Sequence, residues 1–117
     1  MKSINWYWIV RPLIMLVVIC VMQLPVVNAA VISTDSIEVH GNCGMCKNRI
    51  EKAALKKGVK SAIWSPKTKI LVLKYDSEKI NPEEIEQHIA SVGHDTPKVK
   101  ASDEAYNNLP DCCQYDR

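Results

Sequence analysis

Apolar and polar residues alternate with two different periods between residues 36 and 101, which predicts a mixture of strands and helices. Ser36 to His40 alternates residue by residue, a pattern typical of a half-buried strand. After Cys46 the apolar positions recur at helical spacing instead, and they predict a first helix over about residues 44–57. Gly58 follows directly and predicts the end of that helix.

The second half of this region continues with two β-favouring runs, a helix and a final short strand. Residues 59–64 and 69–75 are joined by Ser65–Thr68, which predicts an antiparallel hairpin. Asn81 to Glu84 supplies a cap, a proline and a carboxylate three residues after the cap, so a second helix is expected to begin there and to end at Gly93. Thr96 to Ala101 is expected to form an edge strand, where Pro97 is tolerated.

The predicted order, β-α-β-β-α-β, is that of the split βαβ arrangement in the α+β class. Residues 35–101 should therefore form one domain with a four-stranded antiparallel sheet and two helices on one face of it. Residues 102–117 are rich in Asp and Asn and contain Cys112 and Cys113, and they are interpreted as a separate C-terminal tail.

The first 29 residues have a different character. They contain Lys2 and Arg11 but no acidic residue, and an unbroken apolar run extends from Leu13 to Met22, just before Gln23. This layout is typical of a secretory signal, and the small residues Val27 and Ala29 predict cleavage before Ala30. The mature chain, residues 30–117, would then be exported to the periplasm or another extracytoplasmic space. The alternative is a retained membrane anchor formed by residues 4–29.

Removal of residues 1–29 takes away two basic residues and leaves thirteen Lys and Arg against thirteen Asp and Glu. Proteins that bind nucleic acid depend on clustered positive charge to neutralise phosphates. A neutral chain without a basic run excludes nucleic acid as a partner.

The motif that carries chemistry is Cys43-Gly44-Met45-Cys46, at the junction between the first strand and the first helix. Two thiols three residues apart can converge above the first turn, where backbone N–H groups and the helix dipole lower thiol pKa values. The thiolate is the form that binds metals, and Lys47 and Arg49 would favour the anion further. Structural zinc sites require four ligands, whereas soft thiolates select copper(I) and fewer of them satisfy it. Two thiolates in an exposed loop therefore favour copper(I).

A single C-x-x-C motif also occurs in thiol-disulfide enzymes and zinc sites, but its surroundings narrow the choice. Cys43 and Cys46, followed by Ile50-Glu51 and by Gly58-Val59 before a hairpin, resemble the heavy-metal-associated domain family over about residues 35–100. The resemblance implies a ferredoxin-like fold and metal binding through Cys43 and Cys46, with copper(I), mercury(II), zinc and cadmium as candidate ions. One departure is Gly41, where the family usually carries a core methionine that braces the loop.

The resemblance implies a binding protein without catalysis, a metallochaperone or metal scavenger. It would pass its ion to a metal-transporting membrane protein or to another metal-binding domain, and two copies sharing one ion would form a metal-bridged homodimer. A periplasmic mercury(II)-binding protein fits the same motif. A thiol-disulfide oxidoreductase, with Cys43 as nucleophile and Cys46 as resolving thiol, is the alternative from another class.

Three further residues are candidate ligands. His94 follows the second helix in a loop that this fold brings near the cysteines, but a solvated loop histidine is the plainer interpretation. Cys112 and Cys113 would either add soft ligands or form disulfides in an oxidising compartment, and the sequence leaves both interpretations open.

Overall fold

The structure, a computed structural model, describes residues 3, 5–21 and 25–117. Helix α1 (Trp6–Val21) includes most of the predicted export signal. That prediction also involves Lys2, Met22 and Gln23, which lie outside the described residues. Within the described ranges, no helix combines the length and the apolar character needed to cross a membrane.

The region after residue 31 folds as an α+β unit with the predicted element order as far as the second helix of the domain. Its elements are β1 (Ile32–Glu38), α2 (Gly44–Ala54), β2 (Val59–Trp64), β3 (Ile70–Asp76) and α3 (Pro82–Ser91). The sheet has the order β1-β3-β2, and both pairings are antiparallel. The predicted hairpin is β2–β3, and Lys69 adopts a positive φ of 62° at its turn.

The prediction of a fourth strand at residues 96–101 is wrong, because the sheet of the described residues has three strands. The backbone turns at Pro97 instead, and the N–H of Thr96 donates to the carbonyl of Val99 at 2.9 Å. Glu86 on α3 also accepts hydrogen bonds from the Thr96 hydroxyl and from the N–H of Lys98. These backbone groups are satisfied locally and are no longer available to a sheet partner. Just before this segment, the Asp95 carbonyl accepts from the N–H of His40, two residues past the end of β1, at 3.0 Å.

The core lies between one face of the sheet and the two helices that follow the strands. Leu71 and Leu73 of β3 are fully buried there, together with Ile50 of α2 and Ile85 of α3. Val72 and Ile63 point to the other face and are exposed, as a period of two requires. The expected capping box of α3 is present, since Asn81 and Glu84 exchange side-chain-to-backbone hydrogen bonds.

Residues 102–117, which we call the C-terminal segment, pack against this core. The segment contains α4 (Asp103–Asn107), which Ser102 caps, and a short 3₁₀ helix (Asp111–Cys113). Leu109, Cys113 and Tyr115 are buried in the same hydrophobic cluster as the helices and strands. The segment was predicted as a tail, and the structure shows that it is docked on the domain along much of its length.

Candidate metal centre

Cys43 and Cys46 lie at the junction of β1 and α2, where the sequence motif placed them. Cys43 is the N-cap residue of α2, with an extended backbone and no capping hydrogen bond from its side chain. Cys46 lies in the first turn and is fully buried. The two sulfur atoms are 3.7 Å apart, and the Asn42 N–H donates to Cys46 Sγ at 3.4 Å. The helix start therefore brings both thiols together at its N-terminal end.

The environment of Cys43 favours its thiolate. The backbone N–H of Cys46 is the main cause that lowers the pKa of Cys43 to about 7, and the N–H of Met45 acts in the same direction against partial burial. Because only the thiolate binds a metal strongly, a substantial fraction of Cys43 is ready to bind near neutral pH. Lys47, expected to support the anion, instead donates to Glu51 and to the Trp64 carbonyl.

The C-terminal segment brings two more thiols to the same point. The sulfur of Cys112 lies 3.8 Å from that of Cys43, and the sulfur of Cys113 lies 3.9 Å from it. Cys112 and Cys113 are themselves 3.9 Å apart, sulfur to sulfur. In the part of the chain that the structure describes, these three cysteines are the group whose ligand atoms all lie within 4.8 Å of one another. We call this group the sulfur triangle.

Arg49 connects helix α2 to the sulfur triangle. Its Nη1 donates to Cys113 Sγ at 3.3 Å. Burial nevertheless raises the pKa of the Cys113 thiol to about 12, with neighbouring thiols adding to the effect and Arg49 opposing it. Cys113 is consequently protonated at neutral pH in the metal-free protein and must lose its proton to bind a metal. Cys112 is exposed, and its sulfur lies 3.6 Å from the thioether of Met45.

His94 is fully buried and does not belong to the sulfur triangle. Its Nδ1 lies 2.7 Å from the His40 carbonyl oxygen, so Nδ1 carries the proton. The other nitrogen, Nε2, is buried and has no hydrogen-bond partner among the described residues, and burial lowers the pKa of the ring. His94 is therefore a neutral histidine with a free lone pair, not a solvated loop residue, and its role as a ligand stays a prediction.

Two residues of the C-terminal segment that the sequence did not single out hold it in place. Tyr115 stacks on His94, and its hydroxyl donates to the Gly93 carbonyl and accepts from the Asp95 N–H, both at 2.8 Å. Arg117 contacts both carboxylate oxygens of Asp95 at 3.0 Å. Tyr115, an aromatic residue two positions after Cys113, is the feature of the sequence that could have indicated this docking.

The arrangement suits thiophilic chemistry, because four thiols converge within one small region at a helix N-terminus. Soft thiolate ligands select copper(I), zinc and similar ions over hard cations such as magnesium and calcium. The same lowered pKa of Cys43 would also support attack on a disulfide, so geometry alone does not separate metal binding from thiol exchange.

Comparison with known proteins favours metal binding. A solved structure described as CopZ metallochaperone shares 29% sequence identity with the chain, with a TM-score of 0.53, and the match covers 55% of this chain and 98% of that one. A protein of Bacillus anthracis str. Ames, described as a candidate copper-ion-binding protein, has 23% identity and a TM-score of 0.55, covers 58% of this chain and 99% of that one, and supports the fold alone. No curated protein matches the chain.

The family model described as the heavy-metal-associated domain matches residues 36–95, which is more than half of the chain. The matched range begins in β1 and ends at Asp95, so it includes Cys43, Cys46 and the loop that carries His94. It excludes the C-terminal segment with Cys112 and Cys113. This match and the likeness to a metallochaperone support metal binding and a role without catalysis. The chain belongs to the heavy-metal-associated domain family.

Proposed function

We propose that the protein binds a soft metal ion, copper(I) first, through Cys43 and Cys46 and delivers it to an acceptor outside the cytoplasm. The acceptor would be a metal-transporting membrane protein or another metal-binding domain. The observation that carries the proposal is the pair of sulfurs 3.7 Å apart at the start of α2, with the pKa of Cys43 lowered to about 7. Mercury(II) has the same preference for thiolates and is the second candidate ion.

Delivery is favoured by the partial exposure of the site. Cys43 is half-buried and Met45 is 52% exposed, so an incoming thiol can reach the ion without unfolding of the domain. A groove that begins at Met45 runs along α2 and is lined by Arg49, Lys52 and Lys56. This positive surface would attract an acidic acceptor domain to the side of the cysteines.

Titration of the reduced full chain with copper(I), in the presence of a competing chelator, tests the proposal. We expect one ion per chain, and we expect Cys43→Ser to abolish tight binding because Cys43 contacts every other thiol of the site. Cys20→Ser is the matched control, since Cys20 lies in α1 and is exposed. Unchanged binding by Cys43→Ser, or no binding by the wild type, would refute the proposal.

The same preparation separates metal binding from thiol-disulfide exchange. The metal-free reduced protein is incubated with insulin and a reductant, and precipitation of the reduced insulin chains is followed. We expect no acceleration over the reductant alone. Catalytic turnover that disappears in Cys43→Ser would instead assign the low thiol pKa to an oxidoreductase.

A further inference from the structure

The three sulfurs of the sulfur triangle have the dimensions of a metal site with three ligands. Their separations are 3.8, 3.9 and 3.9 Å, so they form a nearly equilateral triangle. An ion at its centre would lie about 2.2 Å from each sulfur, close to the metal–thiolate bond length of about 2.3 Å. Two thiolates on opposite sides of an ion would instead be about 4.6 Å apart at that bond length. The observed spacing thus fits three ligands around one ion without movement of the sulfurs, whereas the Cys43–Cys46 pair, at 3.7 Å, must widen to hold an ion between two thiolates.

We propose that Cys43, Cys112 and Cys113 form a three-thiolate site for copper(I), and that Cys43 is shared between this closed site and the open Cys43–Cys46 pair. The ion would rest in the closed site and move to the open pair when the C-terminal segment lifts. This inference rests on the proposed function, because it assumes that the cysteines bind a soft cation. It adds a second arrangement of ligands, which the matched family range does not contain.

The closed site is built before any ion arrives, because contacts outside it fix the C-terminal segment. Arg117 bonds both oxygens of Asp95 and also donates to Asp103 at 3.1 Å and to the Ala101 carbonyl at 2.6 Å. Tyr115 is held by its hydroxyl between Gly93 and Asp95. These anchors follow Cys113 closely in sequence and limit the distance that the two thiols can move from Cys43. Preorganised ligands bind more tightly because less freedom is lost on binding.

The close packing of Gly93 shows how tightly the C-terminal segment docks. Gly93 has a φ of 103°, and a Cβ placed there would lie 2.7 Å from the Ala105 carbonyl oxygen and 2.8 Å from a side-chain carbon of Leu109. The segment therefore approaches the loop after α3 as closely as a glycine permits. The exposed sulfur of Cys112 lies 3.8 Å from that of Cys43, so an acceptor thiol that binds the ion at Cys43 would replace Cys112.

The exchange of ligands involves no change in oxidation state. Each cysteine that becomes a ligand gives up its thiol proton, and it takes one up again when its bond to the ion breaks. Opening therefore returns two protons to Cys112 and Cys113 while Cys46 releases one, and the solvent supplies the other; an acceptor thiol that then binds the ion releases its proton in the same way. Because Cys112 and Cys113 are tethered close to the ion, they compete with a free acceptor at a high effective concentration.

X-ray absorption of the copper(I)-loaded full chain counts the sulfurs around the ion and tests the inference. We expect three sulfurs in the wild type and in the Cys20→Ser control. Cys46→Ser should still bind one ion with three sulfurs, whereas a site limited to Cys43 and Cys46 would lose it. The double variant Cys112→Ser/Cys113→Ser should retain one ion with two sulfurs. Loss of binding in Cys46→Ser, or two sulfurs in the wild type, would overturn the three-thiolate site.

The two proposals fail in distinguishable ways. If no variant and no wild type binds copper(I), the proposed function itself is wrong. If the wild type binds through two sulfurs and the double tail variant behaves identically, metal binding stands and only the closed site is lost. Cys112 is exposed, so the single variant Cys112→Ser removes one sulfur of the closed site without disturbing the fold.

Transfer of copper(I) to bathocuproine disulfonate, a chelator whose copper(I) complex is coloured, tests whether the contacts of Arg117 hold the closed site in place. Arg117→Ala keeps all four thiols but removes the contacts to Asp95, and we expect transfer to become faster by about tenfold or more. Lys98→Ala removes the same charge from an exposed position in the neighbouring turn and should leave the rate unchanged. Equal rates for Arg117→Ala and the wild type would contradict the anchored closed site.

Discussion

Trp64 packs against Gly41, just before the cysteine motif, at the position where the family pattern usually has a methionine. Its side chain is buried, and its indole nitrogen donates to the Val39 carbonyl at 3.0 Å. A Cβ on Gly41 would lie only 3.1 Å from the indole ring and 3.2 Å from the Cβ of Cys46. Any side chain at position 41 would therefore crowd the tryptophan of β2 and the Cys46 side chain, which would have to shift by a few tenths of an ångström.

Restoring the family residue should destabilise this protein. We expect Gly41→Met to lower the free energy of unfolding by about 1–3 kcal/mol, since the new side chain overpacks a region that Trp64 already fills. Trp64→Ala alone should cost about 3–5 kcal/mol through the cavity that it leaves. In the double variant Gly41→Met/Trp64→Ala the methionine should recover part of that loss. Urea unfolding of the four proteins measures the coupling between the two positions.

Gly44→Ala provides the control for this set, because a Cβ at Gly44 meets no atom within 4 Å. It should leave the stability nearly unchanged. Strictly additive losses in the double variant would show that Trp64 and residue 41 do not share the same space.

At the scale of residues, the sequence was most informative where chemistry and local spacing coincide. Cys43 and Cys46 are three positions apart at a helix start, so their convergence follows from helical geometry. Cys112 lies 69 residues from Cys43, and no local rule relates two positions so far apart. The burial of His94 was also missed, because it depends on Tyr115, which arrives from the C-terminal segment.

Glu51 joins helix α2 to strand β2. Its carboxylate accepts hydrogen bonds from Lys47 and from the backbone N–H of Trp64, the second at 2.9 Å. Partial burial would raise the pKa of Glu51, but these two hydrogen bonds and the charge of Lys47 outweigh it, and the pKa lies below its ordinary value of 4.5. A lowered carboxyl pKa means that this contribution to stability is fully present above the unfolded-state pKa.

We therefore expect Glu51→Gln to lower the free energy of unfolding at pH 7 by about 1 kcal/mol, because the amide is a weaker acceptor than the carboxylate. As pH falls through the folded-state pKa of Glu51, the wild type loses the same contribution and the two stabilities should converge. Chemical unfolding of both proteins from about pH 3 to about pH 7, across the ionisation of a carboxyl group, measures this difference. Glu78→Gln, at an exposed position, should show no such convergence. A constant difference at all pH values would assign the effect to packing instead of charge.

At the scale of elements, the periodicity of the chain predicted four strands and two helices, and three of the strands and both helices are present, but the strand predicted at residues 96–101 is not. Thr96 and Val99 in that stretch favour a strand, and a local pattern cannot show that Glu86 lies close to it in the fold. The carboxylate of Glu86 binds the Thr96 hydroxyl and the Lys98 N–H and stabilises a turn there. A tertiary contact from α3 thus overrides a local preference for β structure.

For the whole molecule, the length predicted one small domain, and the family model matches residues 36–95. The contribution of the C-terminal segment to the core was not predicted, because its polar composition suggested a free tail. Leu109, Cys113 and Tyr115 are its buried residues, spaced by four and two positions without a helical or strand period. Burial of isolated side chains leaves no periodic signal in a sequence.

The predicted cleavage site before Ala30 lies just ahead of the first strand of the folded domain. The Val31 carbonyl accepts from the N–H of Ser77 at 3.0 Å, and β1 begins at Ile32. Residues 25–30 are exposed and lie outside any helix or strand, so the bond before Ala30 is accessible to a peptidase.

We accordingly expect the exported protein to have the intact mass of residues 30–117, measured after expression in a bacterium with a general secretion pathway. Ala29→Arg places a large charged side chain at the residue before the cut, where signal peptidase requires a small one, and it should leave the chain at full length. Asn28→Arg makes the same change one position earlier, where larger residues are accepted, and should still be cleaved. If wild-type protein keeps its full mass and remains in the membrane fraction, residues 4–29 act as an anchor. The proposed metal site would then face its acceptor from the membrane surface.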